Sequence, residues 1–304
     1  MSTLTAASSP SSAASSGTAA PASHVLGDYA DQLSAEQIAH FNDQGYLVCP
    51  GWIPGADLPR LKQEVETWSN GGVDDRYGPP AAGTNDRTAR QMDFPGHWDL
   101  MTHPSLMRLL TQILGPGFAH HHLHTARHLP GDKGVAWHHD YEQHPQTNRS
   151  HGMVHTFWYL NGLDGTIGDL LVIPGSHRMV LERNTLGVWG FTTLPGTKVI
   201  SEIPPGTMVI VHSAALHARC PKAGGDPSKP RFFIDSSYCQ AGIRWPNGSG
   251  WLKAHARAMA DGRATARGVE HLFDPNHFYS TEGLDWTSFR QINQGSLLPQ
   301  LLGK

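Results

Sequence analysis

The 304 residues could make two ordinary domains or one sheet-rich domain, and 38% hydrophobic residues together with 33 Gly are enough for a sizeable core. Only 16% of residues are charged and the formal net charge is −3, which excludes the electrostatic footprint of a nucleic-acid binder and a polybasic membrane face. The conspicuous counts are 20 His, 9 Trp, 33 Gly and 22 Pro, a mixture expected of many turns, many short strands and imidazole available to a metal.

Residues 1–27 are Ser/Ala-rich, carry no Lys or Arg and no apolar run, and read as a disordered tail lacking the parts of a secretory signal. Residues 28–304 are expected to form a single domain, with a helical part over 28–117, a sheet core over 118–240 and a helical or irregular segment over 241–304. Ser34-Ala35-Glu36-Gln37 is a capping box that starts a helix with Ile38 and Phe41 on one face, and Gly45 stops it. Tyr46–Cys49 reads as a strand. A second helix follows Asp57, with Leu58, Leu61, Val65 and Trp68 at helical spacing. The stretch from Gly71 to Trp98 has no periodicity, carries Asp74, Asp75, Arg76, Arg87 and Arg90, and is expected to be a lid that selects the substrate. His103-Pro104 opens a third helix that ends at Gly115-Pro116.

The pattern then changes to short apolar or alternating runs at 118–128, 134–140, 153–160, 170–173, 208–212 and 231–238, punctuated by Gly, Pro, Asn and Asp. Helices first and strands afterwards predict an α+β chain: a sheet sandwich or jelly roll with helices packed on one face. Residues 251–262 have helical composition, and the region after His271 reads as irregular. Cys49, Cys220 and Cys239 are odd in number and far apart, which fits a reducing compartment such as the cytoplasm. No run approaches the ~18 apolar residues of a membrane span, so the expected partner is a small molecule, with neither nucleic acid nor membrane.

The most informative stretch is Trp137-His138-His139-Asp140. On a strand, His138 and Asp140 point one way and His139 the other, so one imidazole and one carboxylate converge. A facial set of two His and one carboxylate, as in non-haem Fe(II) oxygenases, needs one more His. The buried-type run Val209–Val211 leads to two contenders, His212 and His217. On the spacing alone, a structural or zinc-holding histidine cluster in a non-enzymatic β-sandwich and a cupin-like oxygenase without 2-oxoglutarate also stay open. Arg231, beginning a predicted strand after His217, argues for a site that grips a carboxylate.

Taken in order, Asn42-Asp43-Gln44-Gly45-Tyr46, the Trp137–Asp140 strand, Pro174-Gly175-Ser176-His177, Pro205-Gly206-Thr207-Met208, His217 and Pro230-Arg231-Phe232 form a series. This series resembles the phytanoyl-CoA dioxygenase family of Fe(II)/2-oxoglutarate-dependent oxygenases, including its ectoine-hydroxylase-like members. The resemblance implies a cupin-like double-stranded β-helix, with His138, Asp140 and His217 as iron ligands. It implies Arg231 as the partner of the distal carboxylate of 2-oxoglutarate, with Ser176 near the cosubstrate. It further implies oxidation of an unactivated C–H bond by O2, with 2-oxoglutarate converted to succinate and CO2. The carboxylate at Asp140 points to hydroxylation or a related oxidation rather than halogenation. Where relatives often have Gly-Ser after the distal histidine, this chain has Ala218-Arg219, and His122, His124 and His128 occupy a face that commonly offers an amide or hydroxyl. His155, Trp158 and Tyr238 are candidate substrate contacts. His139 is expected to be packed, and His177 to order its turn.

Overall fold

The computed structural model describes residues 29–71, 90–143, 149–222, 225–226 and 228–282. The tail at 1–27 lies outside these residues, as do most of the expected lid and the last part of the C-terminal segment. Helix α1 (Ala35–Gln44) has its capping box, with Ser34 Oγ accepting from the Gln37 amide and the Gln37 side chain accepting from the Ser34 amide. It ends at Gly45, whose φ of 79° is left-handed. A side chain there would also collide with the His177 ring, whose Nε2 donates to the Asn42 carbonyl oxygen. The turn at 174–177 is thereby docked on α1.

Strands β1 (Tyr46–Cys49), β2 (Phe118–His128), β4 (Met153–Tyr159), β7 (Thr207–His212) and β9 (Arg231–Gln240) form an antiparallel sheet in the order β1-β7-β4-β9-β2. A smaller sheet has the order β3-β8-β5-β6, from β3 (Val135–His138), β5 (Gly168–Val172), β6 (Lys198–Ile200) and β8 (His217–Pro221). The two sheets form the double-stranded β-helix. Each long strand of the larger sheet has two faces, because side chains alternate. Val154, Trp158, Met208, Ile210, Ile234 and Tyr238 pack into the core under the helices, whereas Phe157, Tyr159, Val209, Val211 and Phe233 meet Leu170, Val172 and Ile200 of the smaller sheet.

The helical side consists of α1, α2 (Leu58–Ser69), α3 (Pro95–Met101) and α4 (Pro104–Leu114), joined by α5 (Ser249–Ala260) and α6 (Arg263–Arg267). Two differences from expectation lie at the end of the predicted lid. Residues Arg90–Asp93 form a 3-10 turn and 95–101 form α3, so this part is packed structure. The cause is tertiary: Glu64 of α2 accepts from the Gly96 and His97 amides at 2.7 and 3.0 Å and from His97 Nδ1 at 2.8 Å. Burial opposes ionisation of Glu64, but His97 and those amides outweigh it and hold its carboxyl below the ordinary range. Only a glycine at 96 leaves room for that carboxylate. Arg90, expected at the lid, instead pairs with buried Asp93, which also holds Arg257 and Arg263 and so ties α5 and α6 to this turn.

The short strands β6 and β8 and the parallel pair of β10 (Trp245–Asn247) with β11 (Phe278–Ser280) were not anticipated. Strand β3 stops at His138, short of the expected residue 140, and His217 begins a strand rather than ending one. Among the described residues, no helix is long and apolar enough to cross a membrane.

Burial makes this fold sensitive to acid. It holds His139 to about 4, His212 to about 3 and His255 to about 3, and lowers His120 well below its ordinary value. Each folded pKa lies below the unfolded one, so the unfolded chain binds more protons, and stability is lost as pH falls below ~6.5. His155, raised by Asp235 against its burial, acts in the opposite sense but is one group against four. Between pH ~7 and ~5 the Tm from calorimetry should fall by several degrees, before carboxylate protonation contributes. A flat Tm over that interval would contradict the neutral, buried assignment of these imidazoles.

Candidate metal centre and its cavity

The smaller sheet places His138 directly opposite His217 in the β3–β8 register. Their ring centroids are 4.3 Å apart. Each Nδ1 donates to a nearby carbonyl oxygen, His138 to Ala136 at 2.7 Å and His217 to Ala215 at 3.0 Å, which leaves both Nε2 atoms turned toward Asp140. Asp140 lies beyond the strand, where its amide donates to the Ser213 carbonyl oxygen at 2.7 Å. Its Oδ1 is 3.5 Å from His138 Nε2 and its Oδ2 is 3.2 Å from His217 Nε2. One ligand-type atom from each of the three residues lies within 4.8 Å of the others.

Burial alone would raise the Asp140 pKa, but His138 and His217 override it and hold the carboxyl well below its usual range. Burial pushes His138 down to about 4 despite Asp140. A carboxylate between two tautomer-fixed imidazoles is the donor set expected of a divalent transition metal. Arg183 Nη2 meets Asp140 Oδ1 at 3.0 Å and its Nη1 lies 3.7 Å from Glu142, so one guanidinium braces two carboxylates at the rim.

These residues line a cavity of about 280 Å3 walled by Phe157, Tyr159, Leu170, Phe233 and Val135. Arg231 and Arg219 line the same cavity. Arg231 is buried, its guanidinium stacks 4.9 Å from the Tyr159 ring centre and 4.8 Å from that of Phe233, and its Nε and Nη1 have no hydrogen-bond partner among the described residues. The Tyr159 hydroxyl likewise has no partner among the described residues. Burial and the proximity of Arg231 push Arg219 down to about 10, while Arg219 Nη2 donates to the Lys133 carbonyl oxygen. Burial, with Arg231 next, pushes His128 down to about 2. Buried Arg231 and half-buried Arg219, each with at least one N–H that has no partner among the described residues, form a socket for an anion.

Other expected site residues lie elsewhere. Ser176 is buried outside the cavity: its hydroxyl donates to the Ile173 carbonyl oxygen and accepts from the Leu216 amide at 2.8 Å, so it fastens the turn just before His217. Trp158 and Tyr238 are fully buried on the helical face of the sheet, and Tyr238 donates to the Met101 carbonyl oxygen. Strand alternation is the reason, since His155 of β4 faces the cavity and Trp158, three residues on, must face away. His212 stacks on Tyr141 and packs beside His177, away from the His138–His217 pair. His139 is buried and meets the Leu181 carbonyl oxygen through Nε2. His122, His124 and His128 all line the cavity.

Asp235, Phe233, Tyr159, Glu142 and Arg183 line the cavity but were not singled out from the sequence. Counting by twos from Arg231 along β9 reaches Phe233 and Asp235, so those two were within reach of strand periodicity. Arg183 sits in an irregular segment with no such signal.

A family model described as phytanoyl-CoA dioxygenase (PhyH) matches residues 41–223. No curated protein matches the chain. Among solved structures, the chain is similar to SnoK, a non-heme alpha ketoglutarate dependent carbocyclase from nogalamycin biosynthesis, with TM-score 0.55 and 16% identity over 72% of this chain and 88% of that one. It is similar to HygX from Streptomyces hygroscopicus with iron bound, with TM-score 0.53 and 17% identity over 71% and 91%. A third is EctD from S. alaskensis with 2-oxoglutarate and 5-hydroxyectoine, with TM-score 0.52 and 19% identity over 70% and 78%. At these identities the likeness establishes the shared fold.

The role of Ser176 is testable through stability. Ser176→Ala strands the Leu216 amide in the interior and should cost ~1–3 kcal/mol in urea unfolding. An unchanged unfolding free energy would show that the turn does not depend on that hydroxyl.

Proposed function

Because the chain belongs to the phytanoyl-CoA dioxygenase family and is therefore a 2-oxoglutarate-dependent dioxygenase that uses Fe(II) and O2, we propose that His138, Asp140 and His217 hold its iron and that Arg231 anchors 2-oxoglutarate. The observation that carries this reading is the pairing, in one cavity, of a two-His, one-carboxylate cluster with a buried guanidinium whose Nε and Nη1 have no hydrogen-bond partner among the described residues. A purely structural metal site has no need of Arg231, and an oxygenase without a dicarboxylate cosubstrate would leave its desolvation uncompensated. The substrate is a small molecule oxidised at an unactivated C–H bond, with hydroxylation the expected outcome.

With iron, 2-oxoglutarate and O2 bound, the metal centre supplies the oxidising power for C–H cleavage, and 2-oxoglutarate leaves as succinate and CO2. The protein's part is positional and electrostatic. Ala136 and Ala215 carbonyls hold the two imidazoles in the tautomer that leaves Nε2 able to ligate. Arg183 orients Asp140 from its outer side. Arg231 and the Tyr159 hydroxyl present N–H and O–H donors to a carboxylate, and the aromatic wall of Tyr159 and Phe233 fixes the plane of the guanidinium. Phe157, Leu170 and Phe233 keep this end of the cavity apolar, which excludes water and strengthens each polar contact. Arg219 supplies a second positive charge where related chains often place a small hydroxyl residue, and it supports the same anion.

The overall activity is tested by O2-dependent release of succinate from 2-oxoglutarate by the Fe(II)-loaded protein across a metabolite panel; no succinate above a metal-free control would contradict it. Arg231→Ala should weaken 2-oxoglutarate binding by ~30-fold or more in calorimetry, about 2 kcal/mol, and leave metal content unchanged. Unaltered affinity in that variant would move the anchor to another base. Replacing His138 or His217 by Ala should abolish stoichiometric iron binding, whereas His139→Ala should keep it. The opposite pattern would reject the ligand assignment.

A further inference from the structure

A second cluster lines the same cavity. His122, His155 and Asp235 each bring one ligand-type atom within 4.8 Å of the others. The Phe157 ring centre is 5.7 Å from those of both His155 and His217, so this cluster and the first flank one aromatic side chain.

The positions of the ring protons decide what these imidazoles offer. His121 is buried, and its Nε2 donates to the Pro246 carbonyl oxygen at 2.7 Å, which leaves a lone pair on its Nδ1. The 2.8 Å contact between His121 Nδ1 and His122 Nδ1 then requires the proton on His122, and the His122 lone pair is on Nε2. His155 directs Nδ1 at both oxygens of Asp235, at 2.8 and 3.0 Å, and its Nε2 is buried with no hydrogen-bond partner among the described residues. The two rings are 5.4 Å apart. Each imidazole therefore has Nδ1–H tied to a neighbouring acceptor and Nε2 available, which is how proteins fix the ligating tautomer of a metal-bound histidine. His138 and His217 are held in the same manner by two carbonyls.

We infer that His122 and His155, with Asp235 beside them, form a second binding site for a divalent transition-metal ion of the zinc class. Two imidazole nitrogens, one of them backed by a carboxylate on its Nδ1–H, match the ligand preference of such ions, with the carboxylate orienting the ring rather than ligating. An ion here gives the primary substrate an electrophilic anchor for an oxygen donor, beside Phe157 in the cavity that also holds the proposed iron ligands. The site stands on its own residues and does not require the iron assignment to be right.

The test uses the full chain, stripped with a chelator and titrated with Zn(II) at pH ~8, where protons compete little for imidazole. Bound zinc is counted after gel filtration and affinity is read by competition with a chromogenic chelator. The His122→Gln/His155→Gln protein should bind one zinc fewer per chain than the wild type. The His138→Gln/His217→Gln protein should keep the second site, so failure of one assignment is distinguishable from failure of the other. Surface histidines bind equally in all variants and cancel in the difference. Equal zinc counts in the wild type and the His122→Gln/His155→Gln variant would overturn the inference. Should that variant not fold, Asp235→Asn decides: it should weaken the second zinc at least tenfold, and unchanged affinity would overturn the inference equally.

Discussion

His138 and His217 face each other across β3 and β8, and this one cross-strand register governs where every other group of the centre must be. It brings two imidazoles to contact distance on backbone hydrogen bonds alone. Asp140 then completes the set from just outside the ladder, held by the Ser213 carbonyl and by Arg183. Because the positions derive from sheet pairing and from carbonyls at Ala136 and Ala215, the donors are preorganised rather than assembled by a ligand. Ser176 extends the same logic one step outward: although it does not reach the cavity, it fastens the turn that delivers His217.

The larger sheet contributes a division of labour between its faces. Even-numbered residues of β4 and β9, such as Trp158, Ile234 and Tyr238, serve the apolar core beneath the helices. Odd-numbered residues of the same strands, among them His155, Tyr159, Arg231 and Asp235, serve the cavity. Concentrating imidazole and guanidinium on one face is costly in desolvation, as the unpartnered atoms of Arg231 and His155 attest. The helical layer offsets that cost, with its dense core, with the buried Glu64–His97 hydrogen bond and with ion pairs around Asp93. Stability and function thus occupy opposite sides of a single sheet.

Much of this was legible in the residues. The capping box, the helix ending at Gly115 and the six principal strands follow from local periodicity and turn chemistry, which depend on neighbours in sequence. His138, Asp140, His217 and Arg231 all reach the cavity, because strand parity and the order of the motifs specify direction as well as type. What escaped depends on distant partners. Helix α3 rests on Glu64, about one helix upstream, and no seven-residue window announces that. The aromatic type of Trp158 and Tyr238 suits a cavity wall, whereas their parity relative to His155 and Arg231 places them on the opposite face. Ser176 was transferred by motif, and a motif does not reveal that a hydroxyl is already committed to a backbone amide. The expected lid between residues 72 and 89 lies outside the described residues.

The most direct measurement of the central claim is the anaerobic visible spectrum of the Fe(II)-loaded protein as 2-oxoglutarate is added. If His138, Asp140 and His217 hold the iron inside the cavity that binds the cosubstrate, the wild type develops the charge-transfer absorption of an Fe(II)-bound 2-oxo acid, and the His217→Ala protein does not. Absence of the band in the wild type, or an undiminished band in the His217→Ala protein, would contradict the account.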